Sequence, residues 1–66
     1  MVSDWEIWAC ADQVLRAHGA EADAFVAVRI TRLAEVGDAD GVATWRAIAE
    51  RMDRLRAAPA DAASLH

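Results

Sequence analysis

Few residues in this chain have the chemistry of a catalyst, and their spacing sets them apart from one another. Cys10 is the only cysteine, so no intramolecular disulfide can form. It falls between Ala9 and Ala11 with no histidine or cation one helical turn away to draw off its proton, and it is read as a small apolar filler. His18 and His66 are the only histidines. With Cys10 they offer three metal ligands at most, where a structural zinc needs four. His18 is read instead as a cation at a helix end. The carboxylates Asp4, Glu6, Glu21, Asp23, Asp38 and Asp40 all fall at expected helix starts, where free amides and the helix dipole favour them. Asp12–Arg16 and Asp53–Arg56 have the spacing of surface ion pairs. No enzyme activity, metal or cofactor is expected from this set.

Tryptophan is the one chemical excess, with three among four aromatic residues. Trp5, Trp8 and Trp45 are expected in adjoining layers at one end of a helical core. That end is too small to enclose three indoles, so at least one should keep an exposed face. Tryptophan and arginine are enriched among residues that anchor protein interfaces, which makes Trp5, Trp8 and Trp45 candidate partner-binding residues. Arg29 joins them. It lies one turn from both Phe25 and Leu33, and is expected to stack on Trp8 or to pair with Glu6 or Asp12. Arg46, Arg51, Arg54 and Arg56 form no single narrow stripe and are read as a solvated face, with Glu50 in reach of Arg54.

The elements that must position these residues are helical. The chain has 66 residues, of which 56% are apolar and 27% charged. Seventeen are alanine, the best helix former, while proline occurs once and tyrosine never. Ser3 and Glu6 have the spacing of a capping box, and Val2 and Ile7 that of a hydrophobic staple. Apolar positions then recur at Ile7, Trp8, Ala11, Val14 and Leu15 until His18-Gly19. A second stripe, Ala22, Phe25, Val26, Ile30 and Leu33, ends at Val36-Gly37. A third, Val42, Trp45, Ile48, Ala49, Met52 and Leu55, follows Asp38 to Gly41, where Asp38 or Asp40 could cap. The expected architecture is all-α, a three-helix up-down-up bundle with short connections. Its domain spans residues 1–57, with helices at about 4–18, 20–36 and 39–57. Pro59 should end the third helix, leaving 58–66 as a flexible tail.

Charge and size narrow the role further. The net charge is −4, which opposes non-specific binding to nucleic acid. Residues 42–57 alone are basic, so a nucleic-acid-associated regulator using the third helix is the alternative reading. No apolar run suggests a membrane span, and the acidic start lacks the features of a secretory signal, so a cytoplasmic protein is expected. A chain of this size buries only about 60% of its unfolded surface. With neither disulfide nor metal it has reason to use a partner, and a homodimer is expected. The function expected is thus a small helical protein–protein interaction module.

The segments Asp4-Trp5-Glu6-Ile7-Trp8-Ala9-Cys10-Ala11, His18-Gly19, Gly37-Asp38 and Gly41 to Ile48 (GVATWRAI) resemble a family of short, uncharacterised alphaproteobacterial proteins, a domain of unknown function. The resemblance implies a small bacterial helical protein and carries no activity, ligand or site residue with it.

Overall fold

Each helix begins and ends where backbone hydrogen bonding requires it. The computed structural model describes the backbone of residues 2–64 and the side chains of residues 2–57. Helix α1 spans Asp4–His18. The Ser3 hydroxyl accepts from the Glu6 amide at 3.2 Å, and the Ser3 amide donates to Glu6 Oε1 at 3.3 Å. Both halves of the capping box are therefore made, satisfying donors that a helix start leaves free. At the other end Gly19, at φ +52°, gives its N–H to the Leu15 carbonyl. A 3₁₀ turn over Gly19–Glu21 leads directly into α2, Ala22–Glu35.

That turn corrects one expectation. Instead of two separate helices at about 4–18 and 20–36, helical backbone continues from Asp4 to Glu35 and bends at Gly19. A glycine can turn the chain there without a Cβ penalty while hydrogen bonding carries on through the tighter helix. Among the described residues the chain is all-α, with two helical stretches, the first of them bent.

A true break follows α2. The Asp38 amide donates to the Leu33 carbonyl at 2.9 Å and the Gly37 amide to the Ala34 carbonyl at 3.1 Å, with Gly37 at φ +76°. This is the paired pattern of a Schellman ending. Asp38 then acts a second time. Its Oδ1 accepts from the Gly41 amide at 2.8 Å, which makes it the cap of α3, Ala39–Ser64. Of the two candidate caps, Asp38 is the one used.

Helix α3 does not stop before Pro59. Proline lacks the N–H that would reach the Leu55 carbonyl, so one rung of the ladder is missing, but Ala60, Ala62 and Ala63 continue the helical path. Leu65 and His66, the end of the expected flexible tail, lie outside the described residues.

The core is small. Ala11 and Val14 from α1, Ala22 and Val26 from α2, and Ile48 and Met52 from α3 are buried, with Ile7, Leu15, Phe25, Ile30, Trp45, Ala49 and Leu55 packed around them. Helix α3 packs along both other helices, whereas α1 and α2 touch each other least. No described helix is long and apolar enough to cross a membrane.

Candidate partner-binding surface

The three tryptophans part company in the fold. At about 100° per residue, Trp5 lies roughly 150° round the helix from the inward stripe of Ile7, Ala11 and Val14. It is 76% exposed, with Val2 also exposed near it. Trp8 lies at the stripe's edge and is half-buried beneath the Arg51 guanidinium, which sits 5.1 Å from its ring centroid. Trp45 faces neither of them. It meets Phe25 edge-on at 6.0 Å, and the two line a groove with Cys10, Val14 and His18 of α1. The expected cluster of three indoles at one end of the bundle is therefore not formed, although one indole does stand exposed.

Arg29 is likewise displaced from its expected place. Its guanidinium lies 5.2 Å from the Trp45 ring and 5.5 Å from Phe25, not over Trp8. Residues near the middle of α2 come level with Trp45 on α3, while Trp8 sits over Arg51. Asp12, one of its proposed partners, takes Arg16 at 2.7 Å. Glu6 is occupied in the capping box. His18 completes the group by stacking on Phe25, with ring centroids 4.0 Å apart.

Two arginines read from sequence as solvated prove to join the helices. Arg51 reaches Asp4 at 2.9 Å, pairs with Glu50 and covers Trp8, so the start of α1 is tied to the middle of α3. Arg56 grips both carboxylate oxygens of Asp23 at 2.9 and 3.1 Å, and also reaches Asp53, tying the start of α2 to α3. Hydrogen bonds from these guanidiniums hold the carboxyls of Asp4 and Asp23 below the usual aspartate range. Arg54 lies 3.9 Å from Glu50. Three of the four α3 arginines are thus engaged with carboxylates inside the molecule.

What remains uncovered is apolar and basic. Phe25, Val28, Arg29, Arg32, Leu33 and Val36 line a groove along α2. Their spacing of three and four places them on one helical face. Val28 is 52% exposed and Val36 77%. No carboxylate lines the groove, and among the described residues neither Arg29 nor Arg32 has one within ion-pair distance. A second groove, between α1 and α2, is floored by Trp45 and flanked by Cys10, Val14 and His18. Cys10 is exposed there, not the buried filler expected, because it lies on the flank of α1 that turns toward this groove.

Among the described residues no three of the side chains that bind metals gather around one point. The arrangement offers shape, apolar area and positive charge. No curated protein and no solved structure matches the chain. One family does, across residues 3–59, which takes in both arginine ties, all three tryptophans and the α2 groove; the chain belongs to that family of unknown function, DUF6961.

Proposed function

We propose that the chain is a small helical protein–protein interaction module, its three arms arranged up-down-up. The observation that carries this reading is the uncovered apolar face of α2 on a molecule with six buried core residues among those described. Apolar faces of that kind, edged by cations, are what protein partners cover. The intramolecular pairing of Arg51, Arg54 and Arg56 supports a protein partner over the nucleic-acid alternative, because those guanidiniums are already neutralised.

The test is the size of the complex that the tagged chain forms in its cell of origin, compared with the Val28→Glu variant. The wild type is expected to elute well above its 7.1 kDa mass and the variant close to it. Elution of both at monomer mass would overturn the reading.

A further inference from the structure

The exposed large apolar side chains fall into two groups of opposite charge. Val2 and Trp5 stand at the start of α1 beside Asp4 and Glu6, while Val28 and Val36 stand on α2 beside Arg29 and Arg32. Asp4 gives one oxygen to Arg51, and its side chain is still 69% exposed. Among the described residues the indole of Trp5 has no comparable cover, and it is 76% exposed.

We infer that Trp5 of one copy seats in the α2 groove of a second copy, with the carboxylate oxygens of Asp4 and Glu6 that Arg51 and the capping box do not use turned toward Arg29 and Arg32. This rests on the interaction-module reading and names its partner. Charge selects the pairing. Two α2 faces set against each other would oppose Arg29 and Arg32 to their own counterparts. Two α1 starts would oppose Asp4 and Glu6 in the same way. Only the unlike patches attract, and a guanidinium beside an indole face adds a favourable contact of its own. Such a contact closes into a pair if each copy's Trp5 reaches the other's groove, and otherwise runs head to tail.

Sedimentation of the full chain, of Trp5→Ala, of Val28→Glu and of an equimolar mixture of the two variants tests this. Both residues are exposed, so melting of dilute samples should show both variants folded. The wild type should associate with rising concentration, and more weakly with added salt. Each variant alone should associate at least about 30-fold more weakly, the loss typical of an interface tryptophan. The mixture should recover part of that loss, because one variant keeps its groove and the other its Trp5. A wild type that stays monomeric, a Trp5→Ala chain that associates normally, or a mixture no better than its components would overturn the inference. If the wild type is monomeric yet still loses a cellular complex on Val28→Glu, the module reading stands and the second copy is excluded. If that complex is missing as well, both fail.

Discussion

Trp45 and Trp5 are the same residue type in opposite situations, and truncating each should separate a structural role from a surface one. Trp45 is half-buried, packs against Phe25 and carries Arg29. A fully buried Trp→Ala change costs about 3–5 kcal/mol, so half-burial sets the packing share near 2 kcal/mol. Loss of the edge-on contact with Phe25 adds about 1 kcal/mol, and loss of the Arg29 contact about 0.5 kcal/mol. The total, roughly 3.5 kcal/mol, is most of what a core this small supplies, about 3–5 kcal/mol. In a domain of this size it corresponds to a fall in Tm of about 14–28 °C. Trp5 is 76% exposed, and Trp5→Ala should change stability by less than about 0.5 kcal/mol in dilute solution. Thermal melts followed by far-UV circular dichroism measure both, at a concentration low enough to hold association fixed. If Trp45→Ala melted within about 3 °C of the wild type, or if the two variants fell equally, Trp45 would not be the buttress between α1 and α2.

Acid should loosen both arginine ties. The carboxyls of Asp4 and Asp23 lie below the ordinary aspartate value of 3.8, so their stabilisation is present above that value and is lost as pH falls through the lowered one. Urea melts in an acid series should show stability dropping below about pH 3.8, and Asp23→Asn should make the drop shallower. At Gly41 a Cβ would stand 2.6 Å from Asp38 Oδ2, whose partner oxygen caps α3. Gly41→Ala should therefore gain about 1 kcal/mol of helix entropy and lose about as much of the cap, for little net change. On an Asp38→Ala background the Cβ meets only Leu33 Cδ2 at 3.1 Å, so the same substitution should stabilise by about 0.5 kcal/mol, and urea melts of the four-member cycle measure that coupling.

The helix ends were legible because they depend on residues three or four apart. Ser3 with Glu6, and Gly19 and Gly37 at the two turns, act within their own segments, and the three stripes place Ala11, Val26 and Met52 in the core as found. What was not legible depends on how the helices cross. Arg56 has an acid three residues away in Asp53, and that local pair hides its bidentate grip on Asp23, 33 positions off. Arg51 is the same case with Asp4, at a separation of 47. The signal available was their place at the edges of the α3 stripe, next to Met52 and Leu55. The tryptophan cluster failed for a different reason. Grouping Trp5 with Trp8 and Trp45 took account of height along the bundle and neglected the angle round α1, which turns Trp5 away. The groove that Trp45 and Phe25 line with α1 has no local signature. The chain bends at Gly19, where one helix was expected to end and a separate one to begin.

Counting contacts also decides which assembly the opposed patches can build. A tryptophan removes about 200 Å² from water when it is buried, which contributes about 5 kcal/mol. Association costs about 4–15 kcal/mol in lost freedom, so a single Trp5 contact falls near or below the threshold. A head-to-tail chain gains one such contact per added copy and, like the mixed pair of variants, should form only at concentrations well above those that give the wild-type pair. A closed pair gains two contacts for one association cost, near 10 kcal/mol, and reaches the range where a weak dimer forms. The ion pairs of Asp4 and Glu6 with Arg29 and Arg32 lie at the rim, where each is worth less than about 1 kcal/mol; they set orientation more than affinity. The species formed on concentration should therefore be a dimer of about 14 kDa, twice the 7.1 kDa chain, with no larger products. Light scattering during size-exclusion chromatography reads this mass directly. A ladder of trimers and higher species would show that one contact suffices and that the closed arrangement is wrong.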